Sequence, residues 1–152
     1  MAVAMMDSGS NAGPAGNGRT GPTAAPAALL LTRSIGGAVP LPMFVLDATG
    51  SLAYFNPAAE PLLGKSFSEI GPLPPEEWWA LWAPTNIEGT PIPLERLPIM
   101  VALQKRRPVH GWLDFVGLDG VRRRIEATAF PLESQDGHLL GVVGLFWEQP
   151  DD

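Results

Sequence analysis

The chain has 152 residues, of which 17 are Gly and 17 Pro, and it carries no Cys. Ten basic residues against sixteen acidic ones leave a net charge of −6, which argues against nucleic-acid or anionic-membrane modules, because these draw their affinity from neutralising phosphates. The lack of Cys excludes a disulfide framework, a thiolate nucleophile and a Cys-based zinc site, and it fits a cytoplasmic home.

Residues 1–28 hold eight Ala, five Gly and three Pro, and no Leu, Ile, Phe, Tyr or Trp precedes Leu29. Such a segment buries too little apolar surface to offset its ordering entropy, so it is expected to be a disordered tail. It lacks the basic start and apolar stretch of a signal peptide. Later apolar runs fall far short of the ~20 residues that span a bilayer. Leu29, Leu30 and Leu31, with Ile35 beyond, suggest a short helical turn ended by Gly36-Gly37. Residues 29–39 form a cap segment in this reading, the domain occupies 40–148, and 149–152 are a C-terminal tail.

Met43-Phe44-Val45-Leu46 is rich in strand formers, and Asp47-Ala48-Thr49-Gly50 is a turn. Ser51–Phe55 returns as the second strand of a hairpin. Asn56-Pro57 then reads as an N-cap followed by Pro at the first helical position. Pro61 removes a donor, so this helix is expected to be short or irregular, stopping at Gly64. Pro74-Pro75-Glu76-Glu77 opens another helix, closed by Pro84, with Trp78 and Trp82 on one face and Trp79 turned elsewhere. Pro98 opens a third helix that ends at Lys105-Arg106. Three strands follow, at Trp112–Val116, Arg122–Phe130 and Leu139–Phe146, separated by Asp119-Gly120 and Asp136-Gly137, two strong hairpin signals. The pattern predicts an α+β domain: a five-stranded antiparallel sheet with short helices inserted between strands 2 and 3 and covering one face.

These residues resemble the PAS sensor-domain family. Phe44-Val45-Leu46-Asp47 with Gly50 is similar to its first strand and turn, and Tyr54-Phe55-Asn56-Pro57-Ala58-Ala59-Glu60 to its second strand and first helix. Glu88-Gly89-Thr90-Pro91, Leu97-Pro98 and Ala102-Leu103 resemble its central loop and long helix. Pro108–Gly111, Asp119-Gly120, Thr128–Leu132 and Gly141–Gly144 resemble its last three strands. The resemblance covers about 70 % of the chain (residues 40–148). It implies a sensory or interaction module in signal transduction. Because the sequence ends just after the last strand, output is expected in trans, through a partner signalling protein.

Two sub-readings follow. In one, a small apolar or aromatic ligand sits between sheet and helices, with Phe44, Tyr54, Trp82, Met100, Leu103 and Trp112 as pocket candidates. In the other, that space is filled and the domain is a ligand-free dimerisation or scaffold unit. A pocket of about 300 Å³ or more would favour the first, a collapsed core the second. Cys-dependent flavin photochemistry and a Cys-linked chromophore are excluded. Haem would need an axial ligand, for which His110 is the candidate. Leu29, Leu30, Leu31 and Trp79 are the interface candidates, for a homodimer or another partner. No metal site, nucleic-acid partner or membrane partner is expected. An enzyme on the same fold is the rival class. Its sign would be polar side chains converging in the cavity, but the sequence has neither a Gly-x-Ser-x-Gly nor a phosphate-loop motif, and the domain is read as non-catalytic. Arg122-Arg123-Arg124 is read as a solvated hairpin end, with Arg123 on the opposite face from its neighbours.

Overall fold

The strand-forming stretches pair into a single antiparallel sheet in the structure, a computed structural model that describes residues 37–149. Its strands are β1 (Met43–Asp47), β2 (Leu52–Phe55), β3 (Val109–Val116), β4 (Arg122–Glu133) and β5 (Leu139–Glu148), in the spatial order β2-β1-β5-β4-β3. The expected α+β architecture is therefore the observed one. The segments assigned to a tail and cap before residue 37, including Leu29, Leu30 and Leu31, lie outside the described residues.

The last three strands run longer than their sequence signals. β3 starts three residues early because Val109, His110 and Gly111 pair with Ala129, Thr128 and Ala127. β4 continues through Pro131, which pairs with Val142 of β5. At that point β4 has run past the start of β3, so one side of the strand has no partner and a residue without an N–H is tolerated.

Between β2 and β3 the chain makes short helices. Pro57–Ala59 is a 3₁₀ turn that runs into α1 (Glu60–Leu63), the irregular helix expected around Pro61. Gly64 ends it at φ 92°, and a Cβ there would stand 2.6 Å from the backbone nitrogens of Leu118 and Asp119. Sequence reading missed α2 (Phe67–Ile70), although its signal is present: Ser66 and Glu69 form a capping box, whose Ser-x-x-Glu spacing is legible. Hydrogen bonds from Ser66 lower the Glu69 carboxyl below its ordinary pKa. α3 (Pro75–Trp82) and α4 (Pro98–Lys105) have the expected bounds. In both, Pro at the first position costs no hydrogen bond and acidic or basic residues suit the dipole end they occupy.

Asn56 is fully buried and does more than cap. Its Oδ1 accepts from Ala59 N at 3.2 Å and from Met43 N at 2.8 Å, while Nδ2 donates to Leu41 O at 2.9 Å. One side chain thereby joins the first helical turn, the start of β1 and the chain leading into it. The core lies between the sheet and the helices, around an aromatic cluster. Phe44 stacks on Phe55 at 6.3 Å and meets Trp78 and Trp82 edge-on at 5.6 and 5.8 Å.

Candidate functional site

The inward strand positions carry small residues where the helices arch over them. Ala127 and Ala129 of β4 and Gly144 of β5 face α4, and above them a cavity of about 100 Å³ remains. Phe44, Trp78, Trp82, Phe115 and Phe146 wall it with aromatic surface; Leu63, Pro84 and Ile99 are among the aliphatic residues that complete it. All its lining residues are apolar.

The lack of polarity has a structural cause. The three indoles of α3 spend their N–H groups on backbone carbonyls: Trp78 on Gly50 at 2.9 Å, Trp79 on Ile92 at 2.8 Å and Trp82 on Leu63 at 3.0 Å. Buried indole N–H groups normally find such partners. The cavity is thus faced by ring carbon.

Of the six pocket candidates named from sequence, the structure brings Phe44 and Trp82 to the cavity. Met100 and Leu103 are buried in the core but do not line the cavity, and Tyr54 packs beside the core, edge-on to Phe67 at 5.6 Å. Trp112 is on the other side of the sheet and 50 % exposed. Strand alternation explains the error: Leu113 and Phe115 line the cavity, so Trp112, one position away, points outward. Trp79, an interface candidate from sequence, is half-buried against the core and bonded to Ile92. Reasoning from large aromatics overlooked Ala127, Ala129 and Gly144. Their signal was small side chains at inward positions, which leave the space that large residues elsewhere would fill.

His110 also faces outward. Its Nδ1 lies 2.7 Å from Thr128 Oγ1 and its Nε2 2.6 Å from Glu126 Oε2. A haem in the cavity would need an axial imidazole directed into it, and the volume is below the roughly 300 Å³ at which ligand pockets usually begin. The residues present do not fit that group.

Two ionic clusters hold the sheet end near the cavity. Asp114, buried at 4 % exposure, receives Arg124 through both oxygens at 2.9 and 3.2 Å. Its backbone pairs in both directions with Thr85, the residue after cavity-lining Pro84. On the inner face Arg123 donates to Leu62 O at 2.9 Å and to both oxygens of Asp119, at 3.1 and 2.8 Å. The Arg123 hydrogen bonds, helped by the Val121 N–H, hold the Asp119 carboxyl down at about 2. Asp119 in turn raises Arg123. The arginine run is thus split between the two faces as expected, with every member engaged: Arg122 lies 3.8 Å from Asp114 and donates to Thr85 Oγ1 at 3.2 Å.

The family model described as the PAS fold matches residues 37–149. No curated protein matches the sequence. Among solved structures the chain is similar to the LOV protein of Rhodobacter sphaeroides, with TM-score 0.64 and 13 % identity over 82 % of this chain and 68 % of that one. It is also similar to the PAS domain of nitrogen regulation protein NR(II) from Vibrio parahaemolyticus, with TM-score 0.55 and 20 % identity over 78 % and 98 %. The PAS domain of BvgS from Bordetella pertussis gives TM-score 0.52 and 16 % identity over 82 % and 87 %. The chain belongs to the PAS family, whose members point to a sensory role in signal transduction.

Proposed function

We propose that this PAS domain is a non-catalytic signalling module whose inner cavity takes a small, wholly apolar molecule and whose outer sheet face meets a partner protein in trans. The observation that carries this reading is the apolar cavity of about 100 Å³ between the sheet and helices α3 and α4. A polar ligand there would give up its hydrogen bonds to water without replacement, at roughly 1–3 kcal/mol per group. The size is below that of drug-sized pockets and near that of apolar cavities of about 150 Å³ that accept benzene or xenon. The ligand class supported is therefore a hydrocarbon no larger than one small ring, or an apolar gas.

The non-catalytic reading rests on where the polar groups are. Thr128, His110 and Glu126 form a hydroxyl–imidazole–carboxylate chain, the composition of a nucleophilic triad. They stand on an open sheet face, where the backbone N–H groups of β4 serve the ladders to β3 and β5 and leave no pair aimed at a developing oxyanion. Among the described residues no helix is long and apolar enough to cross a membrane. A cytoplasmic home belongs to the proposal, as does self-association through Leu29, Leu30 and Leu31.

Xenon or benzene titration monitored by tryptophan fluorescence and by NMR tests the cavity. Saturable perturbation of Trp78 and Trp82 is expected, lost when Ala127→Val fills the space. The second reading, a ligand-free scaffold, is favoured by the small volume and the tight aromatic cluster. Absence of saturation with both probes would select it.

A further inference from the structure

The outer face of the sheet carries an aromatic pair that the cavity does not use. Register places Trp112 opposite Glu126, and Glu126 opposite Trp147, across β3, β4 and β5. Directly opposed side chains share a face with Cβ atoms about 5 Å apart, so the two indoles flank the carboxylate over a span of about 10 Å. The edge-strand indole of Trp112 is half exposed.

The carboxylate between them is fixed in place. Its Oε1 accepts from Trp147 Nε1 at 3.2 Å and from Gln149 Nε2 at 2.9 Å, and its Oε2 lies 2.6 Å from His110 Nε2. A carboxylate offers about four acceptor positions, so these three partners leave capacity for a donor arriving from solvent. The Glu126 side chain retains 22 % exposure. Arg124, the next residue on this face of β4, is engaged with Asp114 and so does not serve as the counter-charge of the row.

We infer that the row Trp112–Glu126–Trp147 is a recognition site for one cationic side chain, a lysine or arginine, presented by a partner protein. An ammonium or guanidinium group is attracted by indole faces; with the His110 ring already 6.3 Å from Trp147 and 2.6 Å from Glu126, the arriving cation meets the exposed Trp112 face and the remaining Glu126 acceptor position. A purely apolar partner would bury that carboxylate at a cost, and a nucleic acid would be repelled by it. The chain's net charge of −6 steers a basic partner toward the surface. The site deepens the outer-face partner reading above and is tested without a cavity ligand.

The test is an NMR titration of the full chain with acetyl-Ala-Arg-Ala-amide, with the citrulline peptide as neutral control and sodium chloride matching ionic strength. The arginine peptide should shift the indole N–H signals of Trp112 and Trp147 saturably at millimolar concentration, leaving Trp78 and Trp82 unmoved. Glu126→Gln and Trp112→Ala should each weaken binding about threefold to fivefold, and Trp112→Phe less, because a ring face remains. Variants are compared once their unfolding midpoints match the parent's. Equal shifts with the arginine and citrulline peptides, unchanged affinity in Glu126→Gln, or no saturable shift would each overturn the site.

Discussion

Arg124 grips Asp114 across the outer face of the sheet, Nε on Oδ1 at 2.9 Å and Nη2 on Oδ2 at 3.2 Å. The carboxylate is buried and the guanidinium half exposed, so part of the gain is lost to solvent screening. The backbone of Asp114 meanwhile pairs with Thr85, tying the segment after α3 to the edge strand. Asp114→Ala is expected to destabilise by about 1.5–3 kcal/mol, the range for hydrogen bonds to charged groups. Urea denaturation measures it. A change under about 0.5 kcal/mol, the scatter of ordinary surface substitutions, would mean the pair is decorative.

Asn56→Ala removes a helix cap, worth about 0.5–2 kcal/mol, and also strands the buried Met43 N–H and the part-buried Leu41 carbonyl. The combined cost is expected at roughly 2–4 kcal/mol, since each unsatisfied buried group adds about 1–3. Asn56→Asp keeps the acceptor but loses the amide donor, and should recover only part of the loss. Equilibrium unfolding of the two variants separates these contributions.

Gly64→Ala places a Cβ where the backbone is left-handed and 2.6 Å from Leu118 and Asp119 nitrogens. The conformation alone costs about 1 kcal/mol or more. Because the obstacle is backbone, the β3–β4 turn must move as well. We expect a loss of at least about 2 kcal/mol and, in NMR spectra, displaced Leu118 and Asp119 amides.

The Asp119–Arg123 pair sets a pH dependence with a defined sign. The Asp119 carboxyl is lowered from 3.8 to about 2 in the folded protein. Its contribution to stability is therefore present above 3.8 and is lost as pH falls through about 2. Carboxyl carbon shifts should titrate with a midpoint near 2, moving back toward 3.8 in Arg123→Gln. The stability gap between parent and variant should close under strong acid.

Much of this was legible in the sequence because turns and caps are written locally. Asn56-Pro57, Pro74-Pro75 and Pro98 announced helix starts, and two Asp-Gly pairs announced the hairpins that became β3–β4 and β4–β5. The cavity was less legible, because a void is defined by what is missing. Phe44 and Trp82 were named for their size, but the space depends on Ala127, Ala129 and Gly144 meeting helices that come from elsewhere in the chain. Trp112 was misplaced because its face follows from the phase of alternation in β3, in which Leu113 and Phe115 point inward.

Helix α3 has eight residues, too few to persist by itself in water. Its indoles hold the β1–β2 turn at Gly50, the end of α1 at Leu63 and the approach to α4 at Ile92. Three distant segments must release together before it can lift from the sheet. These bonds couple release of the helix to those segments, so removing one indole N–H should speed hydrogen exchange in the helix. The indoles of Trp78 and Trp82 that wall the cavity are thus held in place by the same bonds that anchor the helix.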